Sequence, residues 1–172
     1  MPTDRTKRFE DIVMPHLDAA YNLARWLTGD THDAEDIAQE SSLRALRFID
    51  SFRGGDPRAW LLRIVRNTAY TCLRKRRIEP EIPPATEAAT LSNPEAIALR
   101  NIDVETIREE LARLPDDFRE ILVLREMEGL AYKEIAEIMD IPIGTVMSRL
   151  ARARKELRTR LTGPMGMDEE QS

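Results

Sequence analysis

Residues 130–161, LAYKEIAEIMDIPIGTVMSRLARARKELRTRL, read as two helices joined by a tight turn. Ala136, Asp140 and Val146 fall at the spacing of a helix-turn-helix. The first of these positions must be small, because the second helix crosses closely above it. The middle position ends the first helix with left-handed backbone, which Asp adopts more readily than most residues. The third anchors the second helix in the core. Pro142 stands where it can open that helix without costing a hydrogen bond.

The second helix divides by face. Val146, Leu150, Ala153, Leu157 and Leu161 recur at three- and four-residue steps and predict a buried stripe. Thr145, Ser148, Ala151, Arg152 and Lys155 take the other side. Short polar groups near the N-terminus with cations further along suit a helix that enters the major groove. Over 143–161 the cations are Arg149, Arg152, Arg154, Lys155, Arg158 and Arg160, and the only acid is Glu156. Arg149 has two readings, a DNA contact or a core-edge pair with Glu134. Met147 has two as well, packing or contact with a thymine methyl. For the whole segment the plainer alternative is an exposed basic helix that closes a bundle.

The chain has 172 residues and a net charge of −5. That average hides strong segregation of charge along the chain, so it does not exclude a nucleic-acid partner. Helical periodicity runs through long stretches and sustained strand alternation appears in none, which predicts an all-α fold. Cys72 is the single cysteine. It excludes an internal disulfide and a cysteine-rich zinc site, fits a reducing cytosol, and reads as a small buried hydrophobe. His16 and His32 lack partners at ligand spacing, so neither a metal nor a cofactor is expected. No apolar run reaches about 18 residues, and the N-terminus has no signal-peptide core. The sequence carries no phosphate-cradling glycine loop, nucleophile elbow or HExxH, so an enzyme is not expected.

Phe9, Ile12, Val13, Leu17, Ala20, Tyr21, Ala24 and Leu27 predict helix over 9–27, with a kink or restart at Pro15 and a cap at Gly29. Asp30 can cap the next helix, expected over 33–49, with Ala34, Ile37, Ala38, Ala45, Phe48 and Ile49 inward. Asp33, Asp36, Gln39 and Glu40 are expected to share its outer side. Dipole complementarity explains acids in the first turn, but not Gln39 and Glu40 further in. That stripe suits a basic partner. Turn residues make 50–57 a loop.

Residues 58–77, RAWLLRIVRNTAYTCLRKRR, contain no acid. Trp60, Leu61, Ile64, Val65, Ala69, Cys72 and Leu73 are expected on the apolar side, and Arg63, Arg66, Asn67 and Tyr70 on the polar side. A cationic helix with interleaved aromatics suits opened nucleic acid. A proline-broken linker is expected over 79–103, a second module over 104–162, and a disordered acidic tail over 163–172. In the second module Ile107, Leu111 and Leu114 continue the helical pattern. Pro115-Asp116-Asp117 starts a further helix that Gly129 ends.

Both modules, in this order and separation, resemble the sigma factors of bacterial RNA polymerase, most closely the small extracytoplasmic-function (ECF) group of the sigma-70 family. DAEDIAQE at 33–40 resembles their core-polymerase-binding helix. Phe52-Arg53-Gly54-Gly55 and the helix from Arg58 resemble the part that reads and melts the −10 element. Residues 114–157, LPDDFREILVLREMEGLAYKEIAEIMDIPIGTVMSRLARARKEL, resemble the domain that reads the −35 element.

The resemblance implies two small helical domains, at 6–78 and 104–162. It implies that Asp33, Asp36, Gln39 and Glu40 face the clamp helices of the polymerase's largest subunit. Ser51, Phe52 and Arg53 would capture a flipped −10 base. Arg58, Arg63, Arg66 and Asn67 would hold the opened strand or its upstream duplex, and Trp60 would be either a melting wedge or core. Thr145, Ser148, Arg149, Arg152, Arg154 and Lys155 would contact the −35 element. Many members carry Lys or Arg where Met147 stands, which implies one DNA contact fewer.

The implied partners are core polymerase, promoter DNA and an anti-sigma factor in the cytoplasm, with no small-molecule substrate. A competing reading is a sigma-like mimic that binds an anti-sigma factor without reading promoters. It gives no reason for an acid-free 58–77. A stand-alone repressor leaves the first module without a role.

Overall fold

The computed structural model describes residues 3–78 and 103–162. The described elements are helical. In the first module they are α1 (Asp4–Ile12), a 3-10 turn (Met14–His16), α2 (Leu17–Thr28), α3 (Thr31–Arg47), a second 3-10 turn (Ile49–Ser51) and α4 (Pro57–Ile78). The second module has α5 (Asp103–Arg113), α6 (Asp116–Leu122), a π-helical turn (Val123–Met127), α7 (Tyr132–Met139) and α8 (Ile143–Thr162). The expected tail over 163–172, and residues 79–102 of the expected linker, lie outside the described residues.

Local sequence sets the breaks. Pro15 sits in the 3-10 turn that separates α1 from α2. Gly29 ends α2 with φ 71°, a left-handed conformation that a side chain would oppose. The Asp30 carboxylate then accepts from the Asp33 N–H at 2.9 Å and starts α3. α2, α3 and α4 pack on one another around buried Leu23, Leu27, Ile37, Leu61, Leu62 and Val65.

Three expectations for α3 fail. Phe48 is 52% exposed, because the helix ends at Arg47 and a 3-10 turn swings Ile49 inward in its place. Ser41 takes an inner position that an apolar pattern could not flag, and Ala38 is only half-buried. Asp33 is buried, not on the outer side, because it lies in the first turn that Asp30 caps.

α6 is the pivot of the molecule. It packs on α8 of its own module and on α2 of the first. Residues 120–124 are all buried, a run that no amphipathic surface helix would show. The π-helical turn prolongs it, with the Glu128 N–H donating to the Val123 carbonyl five residues back at 3.0 Å. Between the modules, α4 also lies against α7.

The helix-turn-helix forms as its spacing requires. Asp140 ends α7 at φ 55°, ψ 50° and is the only described non-glycine residue with positive φ. The Pro142 carbonyl accepts from the N–H groups of Thr145 and Val146 and opens α8. Val146, Leu150 and Ala153 are buried and Leu157 is half-buried. Leu161, expected inward, is 38% exposed because burial fades toward the end of α8.

Left-handed backbone costs an ordinary L-residue about 1–2 kcal/mol, and a β-branched side chain fares worst. Asp140→Val is therefore expected to lower unfolding stability by about that amount, while Asp140→Gly leaves it equal or higher. Urea denaturation of the three proteins checks this. Equal midpoints for Val and Gly would mean that the turn is not under that constraint.

Candidate nucleic-acid interface

Three surfaces carry the residues singled out from the sequence. On α3, Asp36, Gln39 and Glu40 are exposed. Glu40 accepts from Arg44 Nε at 3.2 Å, one turn along, and Asp36 lies 4.0 Å from His32. Such exposed pairs hold little energy, so both carboxylates are open to exchange for a partner's cations.

The loop after α3 is braced from α1. Arg5 donates to the carbonyls of Leu46 and Arg47, at 3.1 and 2.6 Å. Arg8 donates to the Phe52 carbonyl at 3.1 Å. Both arginines also lie within ion-pair range of Asp50. Sequence reasoning missed Arg5 and Arg8. Their three-residue spacing places them on one side of α1, but nothing local shows that the side faces this loop. Within the loop, Ser51 and Arg53 are exposed, and Ser51 Oγ donates to the Phe48 carbonyl. Phe52 is half-buried against Trp60, with ring centroids 5.4 Å apart. Trp60 thus packs on this loop and borders the core.

α4 splits its polar residues. Arg63 and Asn67 are exposed, whereas Arg66 and Tyr70 are half-buried and engaged with α6. Arg66 Nε donates to Glu120 Oε1, its Nη1 lies 3.5 Å from the Ile138 carbonyl, and its guanidinium stacks 4.8 Å from the Tyr70 ring centroid. The Tyr70 hydroxyl donates to Glu120 Oε2 at 2.6 Å. Glu120 is fully buried. Burial pushes its carboxyl above the usual range, and the Tyr70 and Arg66 contacts offset part of that. The Tyr70 hydroxyl is held protonated by its own burial and by the neighbouring carboxylate. Glu128, after the π-turn, is raised by burial and partly restored by the Arg58 charge.

α8 presents Ser148, Arg152 and Lys155 exposed, opposite the buried Val146, Leu150 and Ala153. Thr145 and Arg149 are half-buried. Glu134 accepts from the Ala131 N–H, in the first turn of α7. Arg154 makes a two-pronged pair with Glu126, at 2.7 Å through Nε and 2.6 Å through Nη2. Met147 is 56% exposed on the outer side. The structure thus leaves Arg152 and Lys155 as outward cations on this face, and turns Arg154 toward the protein's own carboxylate.

Comparison with known proteins covers both modules. The family profile "Sigma-70 region 2" matches residues 12–78, and "Sigma-70, region 4" matches 105–157. The chain is 36% identical over 166 residues to the ECF RNA polymerase sigma factor SigW of Bacillus subtilis, covering 89% of this chain and 88% of that protein. It is 36% identical over 154 residues to ECF sigma factor SigE of Mycolicibacterium smegmatis, covering 87% of this chain but 60% of that longer protein. Among solved structures, Bartonella quintana sigma factor RpoE, in complex with the anti-sigma factor NepR, superposes with a TM-score of 0.75 at 29% identity. That match covers 92% of this chain and 99% of RpoE. CnrH, solved with the cytosolic domain of CnrY, gives a TM-score of 0.63 at 26% identity over 89% and 86% of the two chains.

Proposed function

The chain belongs to the sigma-70 family, in its extracytoplasmic-function group, and from that premise we propose how its surfaces divide the work of directing core RNA polymerase to promoters. Asp36, Gln39 and Glu40 on α3 dock the chain on the clamp helices of the polymerase's largest subunit. Asp33, being buried, positions that helix instead of touching the partner. Ser51 and Arg53, with the Phe52–Trp60 pair behind them, receive a flipped −10 base. Arg58, Arg63, Arg66 and Asn67 hold the separated strand or its upstream duplex. Thr145, Ser148, Arg149, Arg152 and Lys155 meet the −35 element, and Arg154 joins them when it leaves Glu126. Domains at 6–78 and 104–162 act as two tethered contacts, which gain from the effective concentration that polymerase docking supplies.

The observation that carries this reading is the outward pairing of Arg152 and Lys155 with Ser148 on α8, in one chain with the exposed α3 stripe. A sigma mimic needs no such cations. An anti-sigma factor is the expected regulatory partner, since the solved neighbours RpoE and CnrH are held in complexes. The site of action is the cytoplasm. Among the described residues no helix is long and apolar enough to cross a membrane.

In vitro transcription with core polymerase and a promoter library tests the proposal. Promoter-specific start sites are expected, and their absence would overturn it. In a binding measurement with core polymerase, Gln39→Ala with Glu40→Ala is expected to weaken association about tenfold, on the scale of two lost exposed contacts. The DNA affinity of α8 should be unaffected, and equal loss of both would remove α3 from the polymerase surface.

A further inference from the structure

Glu120 is unusual in what it touches. It is a fully buried carboxylate on the second module, and both of its oxygens are occupied by donors from the first. Those donors, a guanidinium and a phenol on one face of α4, are well suited to a phosphodiester. A backbone phosphate offers two non-bridging oxygens and one negative charge, and so does Glu120.

The pairing repeats in weaker form nearby. Arg58, at the start of α4, lies in the field of Glu128, and Arg154 on α8 is gripped by Glu126. Two carboxylates of one short segment, Glu120 and Glu126, thus engage arginines that the family resemblance assigns to DNA, and Glu128 feels the charge of a third. Buried ion pairs add little net stability over an apolar packing, but they impose one arrangement and exclude others.

We propose that Glu120 is an internal competitor for promoter DNA: it occupies the Arg66 and Tyr70 donors in the isolated chain, and this contact must open before α4 can hold the separated strand. The inference rests on the reading of α4 as the strand-holding helix. Opening followed by DNA binding exchanges one anionic partner of Arg66 for another, while Glu120 is released to water. The chain alone therefore binds DNA below its intrinsic affinity, in proportion to the fraction of molecules that are open.

The test uses the full chain with Cys72→Ser and a dye pair on cysteines placed at exposed Asn22 and Lys133, one per module. Energy transfer reads the docking of the modules. Anisotropy with a fluorescent single-stranded DNA pool of random sequence reads α4. Glu120→Ala is expected to lower energy transfer and to tighten DNA binding about tenfold, the gain when the competent form rises from about a tenth of molecules to nearly all.

Glu120→Gln keeps the volume and an acceptor oxygen but removes the charge, and should move both readouts the same way with circular dichroism unchanged. Unchanged energy transfer in both variants would overturn the proposal. So would opening without a gain in DNA affinity, because the covered surface would then not be the strand-holding one. Transcription by the wild-type chain with core polymerase separates this from the larger reading. Failure there removes the sigma assignment, whereas normal initiation with unaltered Glu120 variants removes the competitor alone.

Discussion

Leu150→Ala is expected to cost the second module about 2–5 kcal/mol, enough to leave it largely unfolded at physiological temperature. Leu150 is 1% exposed and lies between Val146 and Ala153 on the stripe that seats α8. Truncation removes a full isobutyl contact and leaves a cavity, since Ile121, Leu124 and Ile135 belong to the same closely packed core and cannot all move in. A module of about sixty residues buries too little surface to absorb such a loss. Thermal denaturation followed by circular dichroism measures it. A variant within about 0.5 kcal/mol of wild type would show that α8 is not seated by this stripe. Loss of −35-dependent initiation should accompany unfolding.

Arg152→Ala is expected to relax selection at one −35 position by about ten- to a hundredfold, the equivalent of about 1–3 kcal/mol for a lost bidentate base contact. Arg152 is exposed on the outer side of α8, one turn beyond Ser148. Arg154 serves as its internal comparison. It is already bound to Glu126 through two nitrogens, so part of any gain on DNA is spent in releasing it. Arg154→Ala should therefore change selection less. Transcription from promoters randomised across the −35 element reads both. A uniform loss over all sequences with Arg152→Ala would make that residue a phosphate contact.

Much of this was legible because it is local. The small residue at Ala136, the left-handed turn at Asp140 and the buried Val146 follow from neighbours within a few residues, as do the Gly29 and Asp30 caps. The stripe Asp36, Gln39 and Glu40 emerges exposed for the same reason: a single helix fixes its own periodicity. What stayed hidden depends on distant partners. Asp33 resembled its exposed neighbours in type, yet the capped first turn is packed inward. Phe48 fitted the helical pattern, but α3 stops one residue before it. Leu161 continued a true stripe past the point where burial fades. The π-helical turn leaves no periodic signature, because it starts inside the buried run 120–124 and ends at exposed Glu126 and Met127. Arg66 and Tyr70 share the polar side of α4 with Arg63 and Asn67 in the sequence pattern, but are half-buried against Glu120. That this side faces Glu120 could not follow from α4 alone.

The sequence distance between those partners has a consequence during synthesis. Arg66 precedes Glu120 by 54 residues and Ile138 by 72. Chains grow at about 5–20 residues per second, so Glu120 follows Arg66 by about three to ten seconds. The first module packs from local helical contacts and is complete well before that. Each newly made molecule thus passes through an interval in which its acid-free helix is folded, basic and uncovered. Docking of the second module closes that interval, and makes the last step of maturation the burial of one carboxylate.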